Sequence, residues 1–207
     1  MKKLLVFDLD GTLIESTSVL VDAFNESFNQ NNLPKVSKKE LKFMMGNPAE
    51  DIVKKFYPEV TPRKLAKIIS DKQNNIDSDR IKLKNNAIEA LILLKVRYDL
   101  AIVSNAKHSE VIKILRSLKV NPRLFKAIVA ADDVSNPKPN PESLKKLSEV
   151  FEQEIVAYVG DTEIDVQTAK SFGTKSVILI GTRTHENIIN EKPDIIINDL
   201  AELSELI

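Results

Sequence analysis

Six short apolar runs rich in β-branched residues recur along the chain, and they constrain its fold more than any other feature. They lie at residues 3–7, 100–103, 127–131, 155–159, 176–180 and 195–197. Segments between the later runs, such as VIKILRSL at 111–118, carry apolar residues at spacings of three and four, which is typical of amphipathic helices. Strands that alternate with helices predict an α/β fold in which a parallel sheet has helices on both faces.

The stretch between the first two runs breaks this alternation, because residues 8–99 show no convincing strand. A crossover between parallel strands needs far fewer residues. Ser37 and Thr61 are suited to helix N-caps, and Pro62 is suited to a first helical turn. Helical patterns cover residues 16–30, 37–45, 48–57, 61–73 and 87–95. We therefore predict a helical domain inserted at residues 16–83, with residues 1–15 and 84–207 forming the core.

Composition excludes several classes of protein. The 30 basic and 30 acidic side chains give a formal net charge of zero, so there is no electrostatic case for nucleic acid as a partner. The chain has no cysteine, which rules out disulfides and thiolate metal sites. Asp8 and Asp10 interrupt the first apolar run too early for a signal peptide, and no apolar run is long enough to span a membrane. We therefore expect a soluble, cytoplasmic protein.

Small polar and acidic residues follow several of the predicted strands. The first run ends in Asp8 and Asp10, the second in Ser104 and Asn105, and the fourth in a glycine followed by Asp161. In an open parallel sheet, ligands bind outside the carboxyl ends of the strands. These residues, which are far apart in sequence, are therefore expected to converge on one site.

The pair Asp8 and Asp10 is the most informative part of this pattern. Residues two apart in a strand share a side, so both carboxylates can project into one pocket before a turn at Gly11. Two close carboxylates do not both stay ionised without a positive partner, and Asp161 adds a third acid. A hard divalent cation bound through oxygen meets this need, and Mg²⁺ fits best. Lys138 supplies a further positive charge.

Each of these residues also has an ordinary structural explanation when it is taken alone. An aspartate after a strand is often a turn former, Ser104 is an ordinary cap, and Lys138 is one lysine among many. Asn140 and Pro141, which follow Lys138, suit the N-cap and first position of a helix. Only the ordered combination favours a functional interpretation.

That combination resembles the haloacid dehalogenase superfamily, and within it the phosphoglycolate-phosphatase-like branch. The matching pieces are FDLDGTL at 7–13, IVSN at 102–105, KPNP at 138–141 and GDTEID at 160–165, in the order and spacing of the family. The resemblance covers essentially the whole chain. It implies a Rossmann-like, doubly wound parallel sheet with an α-helical cap inserted after the first strand, which agrees with the strand-free stretch.

The resemblance also implies roles for individual residues. Asp8 resembles the nucleophile that becomes an aspartyl phosphate, and Asp10 the general acid and base. Ser104 and Lys138 resemble the residues that hold the transferring phosphoryl oxygens. The implied Mg²⁺ ligands are Asp8, Asp10 through its backbone carbonyl, Asp161, and Asp165 at the edge of the site. The implied substrate contacts are Thr12, Asn105, Gly46 and Asn47.

The resemblance leaves more than one function open. The leading hypothesis is a Mg²⁺-dependent phosphatase for a small phosphorylated metabolite, with phosphoglycolate as the nearest candidate. A mutase resembling β-phosphoglucomutase and a pyrophosphatase share the same core residues. A haloacid dehalogenase has no use for Asp10 or for the GDTEID segment, and a catalytically silent binding protein has no need of the full set.

Overall fold

The computed structural model describes residues 2–181 and 188–207 in full and the backbone of residues 185–187. The described chain is built from strands and helices that alternate, apart from one helical stretch after the first strands. The strands are β1 Lys3–Phe7, β2 Ile14–Glu15, β3 Lys82–Leu83, β4 Tyr98–Val103, β5 Ala127–Val129, β6 Ile155–Gly160, β7 Lys175–Leu179 and β8 Ile195–Ile197. The helices are α1 Thr17–Gln30, α2 Lys38–Met44, α3 Ala49–Phe56, α4 Pro62–Asn74, α5 Ala87–Arg97, α6 His108–Ser117, α7 Glu142–Phe151, α8 Glu163–Phe172, α9 His185–Asn190 and α10 Leu203–Leu206.

Six of the strands form one parallel sheet in the order β5-β4-β1-β6-β7-β8. Strand β1 lies in the middle and is buried on both faces. Leu5 and Phe7 belong to the apolar cluster on one face, whereas Leu4 and Val6 belong to the cluster on the other. Burial on both faces explains why the run reads as continuously apolar rather than alternating. The predicted α/β class with a doubly wound parallel sheet is confirmed.

The predicted strands are present, but some of their bounds differ. The run at 127–131 ends as a strand at Val129, because the next residues turn and the Asp133 carboxylate accepts a hydrogen bond from the Ala130 amide. The run at 176–180 pairs over Lys175–Leu179 instead. The prediction that residues 8–99 hold no strand is wrong, because β2 and β3 lie there. Each spans two residues, which is too short to give a periodic pattern.

The helical N-caps are partly as predicted. The Ser37 side chain accepts a hydrogen bond from the Glu40 amide, and the Thr61 side chain accepts one from the Lys64 amide, so both predicted caps are confirmed. Helix α7 begins one residue later than predicted. Asn140 nevertheless caps it locally, because its side-chain oxygen accepts a hydrogen bond from Glu142 N at 3.0 Å.

Helices α1 to α4 lie between β2 and β3, which pair antiparallel and so bring the two ends of this segment together. The segment has apolar packing of its own: the Phe28 ring lies 5.9 Å from the ring of Phe24 and 5.0 Å from that of Tyr57. These features support our proposal that residues 16–83 form a cap on the sheet. In the part of the chain that is described, no helix has the length and apolarity to cross a bilayer.

Candidate active site

The carboxylate of Asp8 lies directly beyond the end of the central strand. The backbone N–H of Asp8 donates a hydrogen bond to the Val159 carbonyl at 2.8 Å, and this bond extends the pairing of β1 with β6 by one residue. The Asp8 side chain is buried, and its Oδ1 accepts a hydrogen bond from Lys138 Nζ at 2.6 Å. Lys138 comes from the loop before α7, so the fold joins two residues that are 130 positions apart. The sequence prediction that they share a site agrees with this geometry.

The Lys138 ammonium donates three hydrogen bonds. Besides Asp8 it donates to Asp165 Oδ1 and to the Tyr158 hydroxyl, each at 2.8 Å. An ammonium carries three N–H donors, so these three acceptors account for all of them. The Tyr158 hydroxyl in turn lies 3.2 Å from the Val103 carbonyl, at the end of β4. Lys138 is therefore held in one position beneath the carboxylate of Asp8.

The buried charges of this cluster shift one another's pKa. Burial lowers the pKa of Lys138, but the Asp165 and Asp8 carboxylates outweigh that effect and hold it well above its usual value. Burial raises the pKa of Asp165, but Lys138 and the Thr162 hydrogen bonds bring it below its usual value. Burial raises the pKa of Asp8, and Lys138 opposes that rise. The single positive charge of Lys138 thus faces the carboxylates of both Asp8 and Asp165. A second cation bound nearby would balance the remaining negative charge.

Asp165 holds the loop after β6 in place. Its Oδ2 accepts hydrogen bonds from Asp161 N at 3.2 Å, Thr162 N at 3.1 Å and Thr162 Oγ1 at 2.7 Å. Its Oδ1 accepts from Lys138 and Tyr158. Both oxygens therefore have protein donors, and the place of Asp165 at the edge of the metal site stays a prediction. The geometry gives it the supporting role of fixing Lys138 and the loop.

Asp161 lies against the turn that follows the opening strand. Gly11 in this turn has a φ of +91°, and a Cβ at that position would lie 2.2 Å from Asp161 Oδ2. Only glycine therefore allows the carboxylate to approach so closely. Thr12 is fully buried, and its hydroxyl donates to Asp161 Oδ1 at 3.3 Å. The structure thus places Thr12 as a support for Asp161, and its predicted substrate contact stays a prediction.

Carboxylate oxygens of Asp8, Asp161 and Asp165 lie within 4.8 Å of one another. Buried oxygen donors of this kind suit a hard cation such as Mg²⁺. The carboxylates of Asp8 and Asp161 fit such an ion best, since both carboxylate oxygens of Asp165 already accept hydrogen bonds from protein donors. The donor set is therefore compatible with the metal that the sequence predicts.

Asp10 is partly exposed and lines the same cavity as Asp8. Its Oδ1 accepts a hydrogen bond from Ser16 Oγ at 2.5 Å. Burial raises the pKa of Asp10, while the Ser16 hydrogen bond and the positive charge of Lys72 lower it and Glu110 raises it, with a net upward shift. A raised pKa favours the protonated form that a general acid needs.

Ser104 and Asn105 follow β4, as predicted, but they have different partners. The buried Ser104 hydroxyl oxygen accepts a hydrogen bond from the Ala106 amide at 3.1 Å and lines the cavity. The Asn105 side chain donates to the Gly46 carbonyl at 2.8 Å and the Lys138 carbonyl at 3.0 Å, and accepts from Lys138 N at 3.0 Å. Asn105 therefore ties the helical segment to the Lys138 loop, and its predicted contact with substrate stays a prediction.

Gly46 and Asn47 lie at the turn between α2 and α3 and line the cavity from the helical side. Gly46 has a φ of +95°, and a Cβ there would lie 3.2 Å from the methyl group of Thr162. The Asn47 side chain donates to the Met44 carbonyl at 2.9 Å, so it stabilises its own turn. Both residues shape the cavity wall, and their predicted contact with substrate stays a prediction.

Four residues of this site were missed by sequence reasoning. Tyr158 lies in the apolar run at 155–159, where a single aromatic residue does not indicate a functional role. Ser16 looks like an ordinary cap before a helix. Lys72 and Glu110 line the cavity from two different helices, and only the fold brings them together.

Comparison with known proteins agrees with this geometry. A sequence profile of the haloacid dehalogenase-like hydrolase family matches residues 5–179. The pyrophosphatase PpaX of Halalkalibacterium halodurans is 27% identical over 98% of this chain and 95% of its own length. The phosphoglycolate phosphatase of Vibrio cholerae is 28% identical over 99% of this chain and 96% of its own length.

Solved structures are similar over the whole chain. One from Haemophilus somnus 129PT, named a predicted phosphoglycolate phosphatase, matches with a TM-score of 0.85 and 28% identity over 99% of this chain and 97% of that one. A hydrolase from Pseudomonas syringae matches with a TM-score of 0.87 and 22% identity over 100% of this chain and 98% of that one, which bears on the fold alone.

The Lys138 network predicts a measurable cost for Tyr158→Phe. The substitution removes one of the three acceptors of a buried ammonium, so we expect the free energy of unfolding to fall by about 1–3 kcal/mol. Urea denaturation followed by circular dichroism measures this. Tyr98→Phe, at the opposite end of the sheet, is the matched control and should change stability by about 0.5 kcal/mol or less. Equal effects of the two substitutions would contradict the assigned role of Tyr158.

Proposed function

Because the chain belongs to the haloacid dehalogenase-like hydrolase family, we propose that it is a phosphatase which passes the phosphoryl group of a small phosphomonoester first to Asp8 and then to water. The observation that carries this proposal is the placement of Asp8, held at 2.6 Å by Lys138, in one cavity with Asp10. Relatives named phosphoglycolate phosphatase and pyrophosphatase support the same chemistry.

In this proposal Mg²⁺ is held by the carboxylates of Asp8 and Asp161 and by the backbone carbonyl of Asp10. When it is bound, the ion neutralises charge on the transferring phosphoryl group. Gly11 and Thr12 keep the Asp161 carboxylate against the turn, and Asp165 keeps the loop before α8 in place. A metal and a lysine together let an anionic carboxylate approach an anionic phosphate.

In the first step an Asp8 carboxylate oxygen attacks phosphorus, and the bond from phosphorus to the ester oxygen breaks. The phosphoryl group becomes an aspartyl phosphate on Asp8. Ser104 holds the equatorial oxygens as charge spreads over them, and Lys138, whose three N–H groups have protein acceptors, supplies positive charge beside them. Asp10 gives its proton to the departing alkoxide, for which its raised pKa is suited.

In the second step Asp10, now a carboxylate, takes a proton from water as the water oxygen attacks phosphorus. The bond to Asp8 breaks, and inorganic phosphate leaves. The Ser16 hydroxyl, which donates to Asp10 Oδ1, keeps that carboxyl group aimed into the cavity through both steps. The two aspartates thus act in turn and need different environments.

The helical segment limits the access of water during the first step. Leu20, Phe24 and Ile52 from this segment line the cavity opposite Asp8 and Ser104. A wall of apolar side chains strengthens the electrostatic interactions in the site and delays hydrolysis until the leaving group has gone.

Asp8→Asn tests the nucleophile. The amide does not attack phosphorus, so we expect the rate of phosphate release to fall below about one thousandth of the wild-type rate. The fold should survive, because an amide oxygen still accepts from Lys138. Asp79→Asn, an exposed substitution in the helical segment, is the control and should keep the wild-type rate. Substantial turnover by Asp8→Asn would exclude the covalent route.

Asp10→Asn separates the two proton transfers. p-Nitrophenolate is a stable anion that needs no acid to leave, so stopped-flow absorbance should record a burst of about one equivalent per enzyme. The following turnover should be slow, because no base activates water. Mass spectrometry of the quenched protein should find the phosphorylated chain. Full steady-state turnover, or loss of the burst as well, would argue against the dual role of Asp10.

Metal removal tests the proposed Mg²⁺ site. EDTA should abolish phosphate release from the wild-type protein, and added Mg²⁺ should restore it. Mg²⁺ should also raise the melting temperature of the wild-type protein, since ligands that bind the folded state stabilise it, and should have a much smaller effect on Asp161→Asn. An unchanged rate in EDTA would remove the metal from the mechanism.

A further inference from the structure

A buried ion pair lines the cavity on the side away from Lys138. Lys72 from α4 and Glu110 from α6 are joined by an Nζ to Oε2 distance of 2.8 Å, and their side chains are only 6% and 7% exposed. Both residues line the same cavity as Asp8 and Asp10. The pair therefore belongs to the cavity and also joins the helical segment to the sheet.

The surroundings of this ion pair are apolar. Lys72 Nζ lies 5.6 Å from the centre of the Phe24 ring, and Leu20, Ile52 and Ile114 line the same part of the cavity. Among the described residues, Glu110 is the hydrogen-bond acceptor of the Lys72 ammonium. The two charges compensate each other, so the pair offers a donor and an acceptor side by side with no net charge.

The position of the leaving group follows from the proposed function, on which this inference rests. In that function the phosphoryl group is bound at Asp8, and the ester oxygen faces Asp10. The rest of the leaving group then extends into the remaining cavity. The amide side chains there, Asn47 and Asn105, already bond to backbone carbonyls. Apart from Asp8 and Asp10, the charged side chains that line this cavity in the described part of the chain are Lys72 and Glu110, so the leaving group meets this pair.

We propose that the Lys72–Glu110 pair selects leaving groups that carry a hydroxyl rather than a negative charge, so that the preferred substrates are phosphate esters of small polyols. A hydroxyl oxygen accepts from Lys72 while its hydrogen is donated to Glu110, and the ion pair stays intact. A carboxylate or phosphate must displace Glu110 and leave its charge buried without a partner, or lie beside it on the same lysine. Both arrangements are costly in a buried site.

This specificity differs from that in the names of the similar proteins. Phosphoglycolate releases a carboxylate-bearing alcohol, and pyrophosphate releases phosphate, so both leaving groups are anionic. Glu110 is the residue that distinguishes hydroxyl-bearing from anionic leaving groups. Without its negative charge, Lys72 becomes a free cation in an apolar cavity. An anionic leaving group would then be favoured.

The test compares 2-hydroxyethyl phosphate with 2-phosphoglycolate, two substrates of similar size in which a neutral CH₂OH group replaces an anionic carboxylate. The measured quantity is the ratio of kcat/KM for phosphoglycolate to kcat/KM for hydroxyethyl phosphate. In Glu110→Gln, which keeps an acceptor for Lys72, we expect this ratio to rise at least about tenfold over the wild-type ratio. Glu149→Gln, an exposed substitution on α7, is the control and should leave the ratio unchanged.

A rise of less than tenfold in Glu110→Gln would overturn the proposal. Far-UV circular dichroism and hydrolysis of p-nitrophenyl phosphate show whether that variant is folded and active. If it is not, the wild-type ratio decides: a value below one supports the proposal, and a value of one or more overturns it. Failure of the wild-type protein to hydrolyse p-nitrophenyl phosphate with Mg²⁺ would instead contradict the proposed function, so the two failures are distinguishable.

Discussion

The site depends on one buried lysine whose three N–H groups all have acceptors. Lys138 contacts Asp8 after β1, Tyr158 in β6 and Asp165 at the start of α8, and so fixes three parts of the chain relative to one another. Breaking a buried ion pair by removing one partner leaves a charge without compensation, which typically costs about 3–5 kcal/mol. The same contacts that hold the sheet edge together therefore fix the proposed nucleophile.

Two of the contacts that join the helical segment to this edge bound the cavity. Asn105 bonds to the Gly46 carbonyl and to the backbone of Lys138, so the turn between α2 and α3 is positioned by the lysine loop. Lys72 and Glu110 form the second connection, across the cavity. Because one connection is neutral and the other is ionic, the cavity is bounded by contacts of quite different strength and chemistry.

The fold and the location of the site could be predicted because their signals are local. Apolar runs gave the strands, and the residues after those runs gave Asp8, Asp10, Ser104 and Asp161. The roles of other residues could not be predicted, because they depend on which partner the fold supplies. Thr12 bonds to Asp161, 149 positions away, and Lys72 meets Glu110 across two amphipathic helices. Strands β2 and β3 were missed because two residues carry no periodicity.

The distribution of charge divides the cavity into two unlike halves. At the sheet edge, the carboxylates of Asp8, Asp161 and Asp165 outnumber the single lysine, and this excess of negative charge favours a cation there. At the helical side, Lys72 and Glu110 cancel, and apolar side chains surround them. Asp10 lies where these halves meet, and its pKa is lowered by the positive charge of Lys72 and raised by the negative charge of Glu110. A change in the Lys72–Glu110 pair would therefore act on the helical side of the cavity directly and on Asp10 through its pKa.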